Sequence, residues 1–388
     1  ELEEKHQWWW VAEKTRTERL EYLRKAVWKK GCAGGVYAPG IKIDLAFPQL
    51  FTETWKENEG EPIMLRKARA LTNVLDNTPI FITDHAQLMG YVGSAPHELV
   101  WHWQSAGMVN EEIYNEQGVI PEPEEESLKS LAELNDYWGG KTALEELAKA
   151  MDPEDAVKFM SGAIAAGTPS SAVTYSTKDY QYIFQGFEGA LDRIDELMEE
   201  TEEKLQGNPS SDLLPLYEKL PKWEAMQTVL DAGIRYANRY ARLARIVAEH
   251  FESDPKRKEE LLRIAGVCER VPAQPPRNLH ESLQFDHFVQ VISRYETYEI
   301  AMPHRPDYFH GPYYDRDVNI DKRITKEEAI DLVREHMIRA YEVGIFQPRY
   351  SREGLQGIVG TWVWTMGGVK PDGSDACNDL TIAYMQAA

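Results

Sequence analysis

The sequence predicts an α/β protein in which long helices surround a barrel of short strands. Most of the chain shows the apolar periodicity of amphipathic helices, whereas β-like runs are few, short and far apart. Of the 388 residues, 43% are hydrophobic, which suffices for two domains or for the large core of one α/β barrel. A β-sandwich would need many regularly spaced strands, so the barrel is favoured.

The helices are predicted from their apolar stripes and from one set of capping residues. In the segment 184–205, for example, an apolar stripe lies opposite an acidic face. Thr325 and Glu328 have the spacing of a capping box, in which each side chain satisfies a free backbone amide at the start of a helix. The other helical patterns span residues 11–30, 62–75, 142–160, 222–251 and 278–299.

Two runs of bulky residues are β-like. The segment 79–83 follows a predicted helix, and the segment 360–366 ends in Gly367-Gly368, which predicts a turn. The second run contains Trp362 and Trp364, and the whole chain has 11 Trp and 19 Tyr. Such aromatic clusters serve either a packed core or an aromatic-lined pocket, and the sequence leaves both interpretations open.

Charge and cysteine content narrow the class of protein. A net charge of −21 would repel nucleic acid and anionic membranes, so neither is an expected partner. No signal peptide or membrane-spanning apolar run is visible. The three cysteines are widely spaced and form no CxxC pair, which argues against a disulfide framework and favours a cytoplasmic location.

Three local patterns resemble known chemistry without its full geometry. His97 and His102 are five residues apart and would not share a helix face, so a zinc site is not expected there. The segment 139–142 lacks the opening glycine of a phosphate loop, since Asn135 stands at that position, and it predicts a loop and a helix start. Cys268 follows an apolar helical run and is expected to be a packed core residue.

Several stretches resemble the glycyl-radical enzymes of the pyruvate formate-lyase-like superfamily, in the same order and at similar intervals. The two most specific are residues 268–276, Cys-Glu-Arg-Val-Pro-Ala-Gln-Pro-Pro, and residues 372–380, Asp-Gly-Ser-Asp-Ala-Cys-Asn-Asp-Leu. Together the similar stretches span nearly the whole chain. The others are residues 63–68, 79–82, 90–93, 178–186, 279–284, 306–314, 324–329 and 366–369.

The resemblance implies one domain over residues 1–388, the N-terminal part of a ten-stranded barrel built from two five-stranded half-sheets with the active site inside. In this superfamily a glycyl radical, installed by a separate radical-SAM activase, oxidises a cysteine that takes hydrogen from the substrate. The family's Gly-Cys-x-Glu and Arg-Val-x-Gly segments do not occur in this sequence. We therefore expect a catalytically inactive fragment cut at Ala388, in which Cys268 and Cys377 are structural.

Other segments indicate a subfamily. Tyr175 stands where the diol and choline eliminases of the superfamily have a histidine or another polar group, which favours a more apolar substrate. Residues 15–19, 31–40 and 55–60 look like the X-succinate synthases, which include benzylsuccinate synthase. That resemblance implies addition of toluene, a methylnaphthalene or an alkane to fumarate. The alternatives are an arylacetate decarboxylase or another glycyl-radical lyase and, in a different class, an inert scaffold subunit.

The resemblance also implies a substrate pocket and partners. In a strand over 360–366 either Trp362 and Trp364 or Thr361 would face the barrel interior, because successive side chains alternate. Arg349 is a candidate to bind the fumarate carboxylates, or else a structural or surface arginine. With Tyr175, these residues are the expected substrate-pocket residues. Besides the activase, the expected partners are small accessory subunits, often with iron–sulfur clusters, and further copies of the chain. No metal ligand set is predicted.

Overall fold

Helices make up most of the structure, as the sequence predicts. The computed structural model describes residues 17–30, 42–95, 98–101, 125–160, 185–207, 213–296, 305–342, 345–346 and 364–387. The α-helices in these ranges are α1 (Glu18–Lys30), α2 (Ala46–Glu57), α3 (Ile63–Asn77), α4 (Glu125–Trp138), α5 (Ala143–Ala150), α6 (Pro153–Met160), α7 (Phe187–Gly207), α8 (Leu214–Tyr217), α9 (Leu220–His250), α10 (Pro255–Arg270), α11 (Leu279–Glu296), α12 (Pro306–Tyr314), α13 (Lys326–Glu342) and α14 (Asp379–Ala387). A short π-helix, Asp315–Ile320, follows α12 directly.

The strands form a small parallel sheet. Its members are β1 (Lys42–Asp44), β2 (Glu98–Trp101) and β3 (Ile345–Phe346), in that spatial order. Leu99 pairs with Ile43, and Val100 pairs with Ile345, so β2 lies between its neighbours. Parallel neighbours joined by helical connections are the building plan of α/β folds. The described residues form this three-stranded sheet, and the ten-stranded barrel expected from the resemblance stays a prediction.

The main core forms where α9 packs against α3 and α10. Small residues on α9, including Ala237, Ala241 and Ala244, are buried and let the neighbouring helices approach closely. α3 contributes Leu71 and Val74 from its apolar stripe. The close approach of long helices buries a continuous apolar surface, which is the main source of stability for such a layer.

A second layer contains α11, α12, α13 and α14. α11 is buried on nearly every side, because it lies between α9 and α13. Its polar residues therefore need partners inside the protein. Those partners come from α12, α13 and the extended segment 87–93, and they define the most polar part of the interior. None of the helices in the described parts of the chain is both long and apolar enough to span a membrane.

The predicted elements agree with the structure in most places. The capping box is confirmed, since the Thr325 N–H donates to Glu328 Oε2 at 2.7 Å and the Glu328 N–H donates to Thr325 Oγ1 at 3.2 Å. The loop and helix start near Thr142 are also confirmed, with Thr142 Oγ1 2.7 Å from Glu145 Oε2. For the β-like run 360–366 only residues 364–366 are described, and the turn predicted after it is present at Gly367 and Gly368, which both have positive φ.

Two predicted elements are wrong in detail. The helical pattern 142–160 is two helices, α5 and α6, because Pro153 disfavours helical backbone in the residue before it. The β-like run 79–83 is not a strand. It lies in an irregular extended stretch in which Phe81 stacks on Tyr91 with ring centroids 4.2 Å apart, and the Tyr91 hydroxyl accepts from the Thr83 N–H.

Candidate functional site

Only one of the predicted pocket residues falls within the described parts of the chain. Tyr175, Arg349, Thr361 and Trp362 lie outside them. Trp364 lies three residues before Gly367 of the turn, and its ring is partly buried against the second layer. Trp364 is therefore the predicted pocket residue whose surroundings the structure shows.

The Trp364 indole is held between two helices. It stacks on the His336 imidazole of α13, with ring centroids 5.1 Å apart and planes at 15°. The Tyr384 ring of α14 meets it edge to face, with centroids 5.4 Å apart. Offset stacking and edge-to-face contacts each stabilise an aromatic pair beyond simple burial. The structure thus places Trp364 in packed surroundings, and its role as a pocket residue stays a prediction.

Behind Trp364 lies a buried group that we call the Asp286 cluster: Ser282, Asp286, Gln290, His310, His336 and Tyr384. His336 Nε2 is 2.7 Å from Asp286 Oδ2, and His336 Nδ1 is 3.2 Å from the Tyr384 hydroxyl. The Gln290 amide donates to the same Asp286 oxygen at 2.6 Å. These contacts join α11, α13 and α14 around a single carboxylate.

His310 extends the Asp286 cluster to α12. Its Nδ1 is 2.6 Å from Ser282 Oγ, and its Nε2 is 3.9 Å from Asp286 Oδ2. Both imidazoles and the carboxylate have side chains that are 0% exposed. The burial of this carboxylate between two imidazoles keeps it from direct contact with solvent. The cluster therefore suits the orientation of neighbouring groups, Trp364 among them, better than a direct reaction.

A second polar group holds the segment 87–93 in place. Glu335 Oε1 accepts the backbone N–H groups of Gln87 and Leu88 at 2.6 and 2.8 Å. Burial raises the pKa of the Glu335 carboxyl, and the nearby Arg339 guanidinium partly offsets this shift. Arg339 is almost fully buried and donates to the Tyr91 hydroxyl at 2.8 Å. Side chains thus replace the strand neighbours that an extended segment would otherwise need.

α11 supplies further bonds to this segment. Gln284 both donates to and accepts from the backbone of Met89, at 2.7 Å in each case. His280 Nε2 is 3.0 Å from the Gln87 carbonyl, and His287 Nε2 is 2.9 Å from the Gly90 carbonyl. Burial lowers the pKa of His280 to about 4 and that of His287 to about 3. Both rings are therefore neutral near pH 7, and each Nε2–H donates to a carbonyl.

The other motifs occupy structural positions. Glu98–Trp101 is a strand, which excludes a zincin-type helix there. Cys268 is a buried core residue, as predicted, and burial raises the pKa of its thiol strongly. Cys377 is exposed beside Gly367. Among the described residues, no three metal-ligating side chains come close enough together to hold a metal ion.

Sequence reasoning missed the Asp286 cluster because its members are far apart in the chain. His336 and Asp286 are separated by 50 residues, and no local spacing links them. One signal lay in two stretches of the resemblance, 279–284 and 306–314, which contain Ser282 and His310. An apolar helix pattern over 278–299 that tolerates so many polar residues also indicates a helix whose polar side chains find partners.

The family of this protein follows from a match over most of its length. Residues 13–388 match the model of the family described as pyruvate formate lyase-like. The chain belongs to this family of glycyl-radical enzymes. The resemblance noted from the sequence is thereby confirmed at the level of the superfamily.

Individual relatives agree. The chain is 31% identical to the isethionate sulfite-lyase of Oleidesulfovibrio alaskensis over 358 residues, which are 89% of this chain and 43% of that protein. It is 28% identical to the (2S)-3-sulfopropanediol dehydratase of Klebsiella oxytoca, over 89% of this chain and 42% of that one. A solved structure concerned with 1,2-propanediol dehydration in Roseburia inulinivorans matches with a TM-score of 0.81 and 27% identity, covering 96% of this chain and 45% of that chain. The chain thus spans less than half the length of these relatives.

The expectation of fumarate addition is wrong. These relatives are a sulfite-lyase and dehydratases, not X-succinate synthases. They agree with the alternative of another glycyl-radical lyase. One stretch that suggested the wrong subfamily has a structural explanation. Trp55 packs between Phe51 and Trp138, with ring centroids 5.8 and 5.5 Å away, and the Arg66 guanidinium covers it at 4.2 Å. The hydrocarbon, the fumarate and the accessory subunits were expected only from that subfamily, so these expectations are no longer supported.

Proposed function

We propose that the protein containing this chain is a glycyl-radical lyase that eliminates water or sulfite from a small hydroxylated molecule. The observation that carries this proposal is the 31% identity to an isethionate sulfite-lyase over 89% of the chain. Isethionate, sulfopropanediol and 1,2-propanediol are all small molecules with a hydroxyl group, and the relatives act on them by elimination or dehydration. This substrate class replaces the apolar substrate inferred from Tyr175.

A glycyl radical installed by a radical-SAM activase would supply the hydrogen-atom abstraction. The residues of this chain would form one wall of the reaction chamber, as one domain with β1, β2 and β3 as part of the barrel. Support comes from the parallel order of these strands and from Trp101, which is buried at the end of β2. A dry wall of bulky side chains protects a radical intermediate from water. Trp364, Thr361, Trp362, Tyr175 and Arg349 remain proposed pocket residues.

The test uses the full-length protein with its activase under anaerobic conditions. Electron paramagnetic resonance first measures the glycyl radical, and then isethionate, 2,3-dihydroxypropane-1-sulfonate and 1,2-propanediol are supplied separately. We expect sulfite from the first, or an aldehyde from a diol. A fully radical-loaded enzyme that leaves all three intact would refute the proposal. Carbon dioxide from an arylacetate in the same assay would identify a decarboxylase instead.

A further inference from the structure

We propose that Asp307 is a positioning residue that sets the place of Trp364 by holding the Gly367–Gly368 turn. Its consequence for substrate binding rests on the proposed function, but its effect on Trp364 does not. Asp307 lies in the first turn of α12 and is fully buried. A buried carboxylate oxygen is costly unless hydrogen bonds replace water, so the groups that bond Asp307 Oδ2 are held firmly, whereas Oδ1 has no hydrogen-bond partner among the described residues.

The partners of Asp307 come from two distant parts of the chain. Its Oδ2 accepts the Gly367 N–H at 2.6 Å and the Thr381 hydroxyl at 2.7 Å. Its backbone carbonyl accepts from the Asn378 side chain at 2.9 Å. Asn378 Oδ1 in turn accepts the N–H groups of Leu380 and Thr381, which begin α14. One residue therefore joins the start of α12, the turn and the start of α14.

The turn cannot easily adopt another course. Gly367 and Gly368 have φ of 65° and 93°, a region that other residues rarely occupy. A Cβ on Gly367 would lie 2.6 Å from the Cys377 sulfur. The Gly367 carbonyl accepts from Arg305, and the Gly368 carbonyl accepts the Ala376 N–H at 2.9 Å. Both carbonyls follow the Gly367 amide in the chain, so of these contacts the bond to Asp307 is the one nearest to Trp364.

Trp364 is reached from Asp307 by two routes. Along the chain, Trp364 is three residues before the Gly367 amide that Asp307 holds. Through space, Thr381 fixes the first turn of α14, and the same helix carries Tyr384, whose ring contacts the indole. Loss of the carboxylate would therefore release the indole from both directions. In the proposed enzyme, displacement of Trp364 would weaken substrate binding more than turnover.

The experiment replaces tryptophan by 5-fluorotryptophan in the full-length protein and follows Trp364 by fluorine NMR, with the resonance assigned from Trp364→Phe. We expect Asp307→Asn to shift or broaden this resonance. Thr381→Val should produce part of the change, and Thr381→Ser, which keeps the hydroxyl, should restore the wild-type spectrum. Thr381→Val also tests the proposal if Asp307→Asn fails to fold.

The matched control is Asp317→Asn. Asp317 is another buried carboxylate of this layer, with Oδ2 accepting the Leu279 N–H at 2.8 Å, and it does not hold the turn. If Asp317→Asn moves the Trp364 resonance as much as Asp307→Asn does, or if Asp307→Asn leaves the resonance in place, the proposal is overturned.

In the radical-loaded enzyme, Asp307→Asn should raise KM about tenfold and change kcat less than about threefold. An unchanged KM beside a shifted resonance would overturn the link to the pocket. A wild-type enzyme that turns over none of the hydroxylated substrates would refute the proposed function alone.

Discussion

His336 and Asp286 meet in the interior with Nε2 and Oδ2 2.7 Å apart, although 50 residues separate them in the chain. Both side chains are 0% exposed, so neither can turn to water if its partner is removed. Asp286→Ala is therefore expected to lower the free energy of unfolding by about 3–5 kcal/mol. Urea denaturation of the wild type and the variant measures this loss.

A double-mutant cycle separates the pair from the effect of the cavity. The combined variant Asp286→Ala with His336→Ala should cost clearly less than the sum of the two single variants, since each single change already removes the contact. The control is Glu269→Ala, which removes an exposed partner of Arg245 and should cost at most about 1 kcal/mol. Equal losses at positions 286 and 269 would contradict the role given to the buried pair.

Glu335 provides a second test, because it satisfies two backbone amides of the segment 87–93. Glu335→Ala leaves the N–H groups of Gln87 and Leu88 without this acceptor and removes the carboxylate near Arg339. We expect a loss of about 3–5 kcal/mol in the free energy of unfolding and faster hydrogen exchange at both amides. Glu335→Gln keeps an oxygen in place and should cost less, about 1–3 kcal/mol. Unaltered exchange in Glu335→Ala would show that the segment is held by other contacts.

The sequence predicted elements whose cause is local. The helical patterns of α3 and α9 and the capping pair of Thr325 and Glu328 depend on residues within a few turns of each other, and all are present. The break between α5 and α6 was missed, although Pro153 is a local signal for it.

Long-range polar contacts could not be predicted in the same way. The segment 87–93 is held by hydrogen bonds to Gln284, His287 and Glu335, which lie nearly 200 residues or more away in the chain. The clamp between Asp307 and Gly367 spans 60 residues. Such contacts depend on how helices are arranged, and no spacing within one helix records that arrangement.

Two helical glycines allow a test of how tightly the main core is packed. A Cβ on Gly233 of α9 would lie 2.7 Å from Phe187 Cε2 and 3.0 Å from Ile292 Cδ1. Gly233→Ala should therefore destabilise the protein by about 1–3 kcal/mol through overpacking. Gly266 of α10 is exposed, with nothing within 4 Å of the same position. Gly266→Ala should stabilise by up to about 1 kcal/mol, because alanine favours helix more than glycine does. Thermal denaturation of both variants checks the opposite signs.

The buried histidines of α11 predict how stability depends on pH. The pKa of His287 is about 3 in the folded protein because of burial, and an unfolded histidine has a pKa of about 6.5. Between these values the unfolded chain binds the extra proton, so the free energy of unfolding falls as pH decreases from about 6.5 toward 3. One such group contributes a slope of about 1.4 kcal/mol per pH unit in that window.

His287→Gln tests this contribution directly. The glutamine amide can still donate to the Gly90 carbonyl, but it does not titrate. The variant should therefore lose the part of the slope of unfolding free energy against pH that one proton contributes. His280, whose pKa is about 4, keeps its own share in both proteins. Glu335 has a raised pKa in the folded protein, so its contribution to stability changes with pH in the opposite direction. Because it is the same in both proteins, it cancels when the two stability curves are compared. Urea midpoints measured from pH 7 to pH 4.5 should diverge, with His287→Gln losing less stability on acidification. Parallel curves for the two proteins would mean that His287 is not buried as a neutral ring.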